Sequence, residues 1–137
     1  MMLEDILSEM LIAHEGFVGK PYKDTVGKTT IGIGRNLDDK PLTLEEAKYL
    51  LRNDMKDAIA DARALFQVFP QLDVARQAVL CDMAFNLGRN RLATFLKFIR
   101  AVNSGDYDTA ADEMLNSKWA DQVGKRADTL ANIMRNS

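Results

Sequence analysis

The sequence predicts an α+β fold, mostly α, built as two lobes: a small β-hairpin lobe near the N-terminus and a larger helical lobe, joined by one long helix. Three observations carry this. Apolar residues recur every three or four positions through most of the chain, the period of a helix with one buried face. That period fails after Glu15, where Gly16, Gly19, Pro21, Gly27, Gly32 and Gly34 follow in quick succession. It resumes at Thr43 and runs unbroken toward Pro70, longer than an average helix and suited to bridge two lobes. At 137 residues the chain is expected to form a single domain over residues 1–137.

The elements follow in order. Leu3, Ile6, Leu7, Met10, Leu11 and His14 make one apolar stripe, a first helix that ends at Glu15-Gly16 and is expected to pack with the helical lobe. Residues 15–42 hold the small lobe, with Val26-Gly27-Lys28 as a turn and Thr29 to Ile33 as a strand. A hairpin of that size is not stable alone and needs helices to lean on. Thr43 and Glu46 have the Ser/Thr-x-x-Glu spacing of a capping box, opening the helix of residues 43–68 along Ala47, Leu50, Leu51, Met55, Ala58, Ile59, Ala62 and Leu65. The helical lobe of residues 70–137 then reads as helices over 73–87, with Gly88 as its stop, 92–102, 108–115, with Asp108 as N-cap, and 123–134.

Composition excludes several classes. Hydrophobic residues make up 47% and charged residues 28%, an ordinary globular balance with no room for a long disordered tail. With 18 basic and 20 acidic residues the formal charge is -2, and basic residues alternate with acids, so binding nucleic acid through counterion release is not expected. The N-terminal stretch carries Glu4, Asp5 and Glu9, so it reads neither as a secretion signal nor as a membrane span. Synthesis in the cytoplasm without stable membrane association is the expectation. Cys81 lies in the apolar run AVLCDMAF with no His, Lys or Arg beside it, which suits a small buried hydrophobe better than a reactive thiol. His14 has no second His to share a metal with, and the single Trp119 reads as core.

Two carboxyls stand out because their settings differ. Glu15 sits at the C-terminal end of an apolar helix, where desolvation and the helix dipole both favour the protonated form and suit a proton donor. Asp24 lies in a Gly-rich turn, where a carboxylate stays ionised. Two carboxyls in unlike environments make the acid and base of glycoside hydrolysis. Spacing alone leaves the plain alternative open, since an acid at a helix end and another in a turn are common. Gly32-Ile33-Gly34 is no dinucleotide site, because Leu37 stands where the third glycine belongs.

The full string is more specific. Glu15-Gly16, Tyr22-Lys23-Asp24-Thr25, Gly27 and Thr30-Ile31-Gly32-Ile33-Gly34 together resemble the active-site segment of phage-type lysozymes, the endolysin family, in the spacing E-x8-D-x5-T. Met83-Ala84-Phe85-Asn86-Leu87-Gly88, Trp119, Gln122 and Arg126 resemble features of that family's helical lobe, so the likeness spans nearly the whole chain. The resemblance implies that Glu15 is the general acid, that Asp24 holds or activates the attacking water, and that Thr30 helps place that water. It implies inversion at the anomeric carbon, with the carboxyls roughly 6.5–9.5 Å apart. By the same likeness Asn86, Gln122 and Arg126 are candidate substrate contacts in a cleft between the lobes. Gln122 and Arg126, four apart, share a helix face if the last helix starts early enough.

Departures from the family pattern matter as well. Arg35 follows the Ile-Gly-Ile-Gly string where a well-known member carries a His paired with an acid on the inter-lobe helix, and Asp54 matches that acid. An Arg35–Asp54 ion pair with a structural role is therefore expected. The stretch from Arg35 to Thr43 is short, so the small lobe should lose strands beyond the hairpin. The acidic charge differs from the strongly basic balance that would steer an enzyme to an anionic wall.

The expected activity is hydrolysis of the β-1,4 bond between N-acetylmuramic acid and N-acetylglucosamine in peptidoglycan, a muramidase acting in bacterial lysis, with no cofactor and no metal. The expected partner is the peptidoglycan glycan strand, met by a monomer in the periplasm or at the wall, with release depending on a pore-forming partner protein. A catalytically silent wall-binding module and a bacteriocin-type toxin domain are the rival readings. The presence of Glu15, Asp24 and Thr30 together favours the enzyme.

Overall fold

Residues 2–137 are described by a computed structural model. Among the described residues there are eight α-helices and one three-stranded antiparallel sheet, the mostly α, α+β composition that the periodicity predicts. The chain divides into two units, the first ending at Tyr49 and the second beginning at Leu50.

The first unit opens with α1 (Leu3–Glu15), whose first turn carries Glu4 and Asp5 and which stops at Gly16 with φ of 69°. Its stripe of Leu3, Ile6, Leu7, Met10 and Leu11 is exposed. The sheet runs β1 (Val18–Lys23), β2 (Thr29–Gly32) and β3 (Arg35–Asn36), in that spatial order. Tyr22 pairs with Thr30 and Lys23 with Thr29, but the register is irregular between Val18 and Tyr22. Pro21 lies in that gap on an edge strand, where its missing N–H costs no ladder bond. The loss of strands beyond the hairpin is not complete, since Arg35 and Asn36 pair with Ile31 and Thr30. Among the described residues of this unit only Thr30 is buried.

The helix α2 (Leu44–Leu65) runs from the first unit into the second. Its capping box forms as expected: Glu46 N–H donates to Thr43 Oγ1 at 3.1 Å and Thr43 N–H donates to Glu46 Oε1 at 2.8 Å. It ends before Pro70, which sits instead in a 3-10 turn over Phe69–Gln71.

The second unit holds the hydrophobic core, centred on Trp119, Phe66, Phe98, Leu80, Met83, Leu92, Met114 and Met134. It is built from α3 (Val74–Leu87), α4 (Arg89–Leu92), α5 (Leu96–Asn103), α6 (Tyr107–Leu115), α7 (Lys118–Val123) and α8 (Lys125–Asn136), with α6 packed on α5 and α8 and α3 on α8. Phe66 and Phe98 meet edge to face at 5.7 Å. Arg76 is the buried cation: it bonds Asp73, the Met134 and Arg135 carbonyls at the end of α8, and the face of Tyr107. The carbonyl end of a helix is where a buried guanidinium finds acceptors and a favourable dipole.

Three boundaries differ from the sequence reading. The helix expected over 92–102 is split, because Thr94 Oγ1 donates to the Arg91 carbonyl at 2.6 Å and closes α4 early. Asp106 rather than Asp108 caps α6, its side chain accepting from Thr109 N–H. The helix expected over 123–134 is preceded by α7, and Gly124 with φ of 58° separates the two.

Candidate active site

Glu15, Asp24 and Thr30 all lie in the first unit. Glu15 is the last residue of α1 and is exposed, so the desolvation expected of it is not seen there. Its carboxyl rests on the main chain of Gly34, in the Ile33-Gly34 turn between β2 and β3: a Cβ at position 34 would lie 2.7 Å from Glu15 Cδ and nearer still to Oε2.

Asp24 sits directly after β1 and shapes the turn into β2. Its Oδ1 accepts from Val26 N–H at 2.9 Å and Lys28 N–H at 2.8 Å, while its own N–H donates to the Lys28 carbonyl at 2.9 Å. Gly27, with φ of 83°, completes this Asx turn by donating to the Asp24 carbonyl. Both bonds fall on Oδ1, which leaves Oδ2 as the oxygen available to a water. The hydroxyl of Thr30 donates to the same Lys28 carbonyl at 3.1 Å, so Oγ1 is left to act as an acceptor. Asp24 and Thr30 are thus tied together through one peptide, that of Lys28, a role that no side-chain motif announces.

Arg35 takes a different partner from the one expected. Its Nη1 and Nη2 donate to Glu46 Oε2 and Oε1 at 2.6 and 2.9 Å, its Nε to the Lys40 carbonyl at 2.7 Å, and Nη2 also to the Pro41 carbonyl at 2.7 Å. The expected pair with Asp54 is replaced because the loop after β3 brings the first turn of α2 to Arg35, and Asp54, two turns further on, is exposed and needs no counter-ion. Arg35 and Thr43 together hold the Glu46 carboxyl down to about 2 from the ordinary 4.5, with the Arg35 hydrogen bond the larger cause.

The remaining candidates lie in the second unit. Asn86, near the end of α3, accepts from the indole N–H of Trp119 at 2.7 Å. Trp119 is a core residue, as its solitary place in the sequence suggests. Gln122 accepts from Arg91 at 2.6 Å. Arg126 pairs with Asp82 at 2.8 Å. Gln122 lies in the last turn of α7 and Arg126 in the first turn of α8, so they do not share one helix face. Arg126 and Asp82 stand at the edge of a mostly apolar hollow of about 590 Å³ lined by Leu51, Met55, Ile59 and Phe85. Cys81 also faces it, and partial burial pushes its thiol up, away from reactivity.

Among the described residues no three of His, Cys, Asp and Glu come together as metal ligands would. No described helix is long and apolar enough to cross a membrane.

Known proteins share this chain's pattern. The T4 phage protein named "Pre-baseplate central spike protein Gp5" is 29% identical across 93% of this chain, which spans only 27% of that protein. A Dictyostelium discoideum protein named "Probable T4-type lysozyme 2" is 26% identical, and the alignment covers 93% of this chain and 92% of that one. A protein of bacteriophage PS119 named "SAR-endolysin" is 32% identical, over 82% of this chain and 66% of its own length. The family described as phage lysozyme matches residues 12–136, from just before Glu15 through the Asp24 turn and the sheet to the end of α8, and the chain accordingly belongs to the phage lysozyme family.

Proposed function

We propose that the chain is a peptidoglycan hydrolase, a muramidase that cleaves the β-1,4 bond between N-acetylmuramic acid and N-acetylglucosamine with inversion. The observation that carries this reading is the turn in which the Lys28 peptide fixes Asp24 and Thr30 together, with Oδ2 and Oγ1 both left as acceptors. A water that donates one proton to each acceptor keeps a lone pair for the anomeric carbon. As its oxygen bonds to that carbon, Asp24 Oδ2 takes the proton, and the glycosidic bond breaks toward the leaving oxygen. Glu15 supplies the proton that this oxygen needs, and exchange with solvent then resets both carboxyls.

Asn86 is a proposed glycan contact. Its Oδ1 accepts from Trp119, and its amide N–H groups remain to donate to sugar hydroxyl and acetamido oxygens. Gln122 and Arg126 are proposed to support that surface, each already held by Arg91 and Asp82. The chain is proposed to work as a monomer without cofactor or metal, made in the cytoplasm and reaching the wall after release through a partner's pore.

The test is turbidity loss of purified peptidoglycan with wild type and Glu15→Gln, fragments identified by mass and the first-formed anomer by NMR. Clearing by wild type only, with new muramic reducing ends in the α configuration, is the expected result. Clearing by Glu15→Gln, cleavage of peptide bonds, or a β-anomer first product would each overturn a stated part of the reading.

A further inference from the structure

The carboxyl of Glu15 occupies space that only glycine leaves open. Gly34 has φ of 64°, and a Cβ there would stand 2.7 Å from Cδ and 2.9 Å from Cγ of Glu15, with Oε2 closer still. The acid side chain is exposed at the end of α1, and the main chain at Gly34 is the close contact the structure shows for it. The peptide around Gly34 is therefore the surface against which it is set. That surface is itself anchored one residue later. Arg35 reaches across the loop after β3 with four hydrogen bonds, two to the Lys40 and Pro41 carbonyls and two to the Glu46 carboxylate. Glu46 is in turn fixed to the start of α2 by its reciprocal bonds with Thr43.

We propose that Gly34 is the seat of the Glu15 carboxyl, and that the Arg35–Glu46 fork is the device that keeps this seat in register: Gly34, Arg35 and Glu46 are positioning residues for the acid. The proposal rests on the reading of Glu15 as the proton donor and deepens it. A guanidinium fork suits the task better than an ammonium, because its planar donors fix direction as well as distance, whereas lysine offers a single charge on a flexible stem. A carboxyl displaced by about 1 Å from the leaving oxygen loses on the order of 100-fold in rate, so a seat of this kind has a large lever on turnover.

Two measurements decide it. The first is a thermal-denaturation cycle of wild type, Glu15→Ala, Gly34→Ala and the double variant, which needs no activity. Gly34→Ala is expected to lower the melting temperature through its positive φ, and by a measurably smaller amount beside Glu15→Ala, where the added methyl no longer displaces the flexible carboxyl. The backbone strain at positive φ is common to both backgrounds and cancels in the comparison. Additive effects would overturn the seat.

The second is kcat and KM on solubilised peptidoglycan for Arg35→Ala, Arg35→Lys and Glu46→Gln, at a temperature where circular dichroism shows every variant folded. Arg35→Ala is expected to lose about 10- to 100-fold in kcat with KM nearly unchanged. Arg35→Lys is expected to recover a part of it. A lower melting temperature with unaltered kcat would make the fork merely structural and overturn its positioning role. If wild type hydrolyses no glycan, the functional reading fails, and the denaturation cycle still decides whether Gly34 seats the carboxyl.

Discussion

Asp24 and Lys28 bond each other twice across one turn: Lys28 N–H donates to Asp24 Oδ1 at 2.8 Å and Asp24 N–H donates to the Lys28 carbonyl at 2.9 Å. The side chain proposed as the base is thus also the one that shapes its own turn, and the two roles separate by substitution. Asp24→Asn keeps an Oδ1 that accepts from Val26 and Lys28, so the turn persists while the base is lost. A fall in kcat of roughly 10²–10⁴ with little change in melting temperature is expected. Asp24→Ala removes both roles and should lower the melting temperature as well. Equal stability loss in the two variants would show that the turn does not depend on Oδ1.

Thr30 is buried, and its hydroxyl shares the Lys28 carbonyl with Asp24 N–H. Thr30→Val keeps the shape and leaves that carbonyl with one donor, so about 0.5–1.5 kcal/mol of stability is at stake. Activity should fall further than that, because the water loses one of its two acceptors. Turbidity rates and chemical denaturation on the same preparation check this. A loss of activity no larger than the loss of folded protein would remove Thr30 from the water site.

Glu46 links stability to pH. Its folded value of about 2 lies below the ordinary 4.5, held there first by the Arg35 hydrogen bond and then by the Thr43 N–H. A carboxyl depressed by folding adds stability that is fully present above its unfolded value and is lost as pH falls through its folded one. The melting temperature should therefore drop between about pH 4.5 and 2, and Glu46→Gln should make that drop shallower. The pair is partly exposed, so added salt should weaken the effect. An identical acid limb in the variant would show that other carboxylates carry it.

What the sequence makes legible follows the range of the interaction responsible. The Thr43–Glu46 box is a pair of local bonds written in four residues, and it forms where expected. The Asp24 turn is equally local, with Gly27 supplying the positive φ. The partner of Arg35 was not legible, because Asp54 and Glu46 are both acids on the same helix and only the path of residues 36–41 selects between them. The helix expected over 123–134 takes in Gly124, yet Gly124 stops α7 and precedes α8, since periodicity on both sides of one glycine does not report a break in direction. The seat of Glu15 on Gly34 joins residues far apart in sequence and has no pattern that spacing could reveal.

Asn86 and Trp119 give the last test, in the second unit. The indole N–H of Trp119, a residue only 1% exposed, has the Asn86 Oδ1 as its acceptor at 2.7 Å. Asn86→Ala leaves that buried donor without a protein partner, at about 1–3 kcal/mol, or roughly 4 °C in melting temperature for each kcal/mol. Asn86→Asp keeps an acceptor for the indole and removes the amide N–H groups. If Asn86 serves only Trp119, the Asp variant should match wild type in both stability and KM. If it also holds a sugar, the Asp variant should stay folded while KM rises several-fold, since a carboxylate cannot donate to acetamido oxygens. Melting curves and initial rates on the three proteins separate these outcomes, and the glycan-contact role predicts the second.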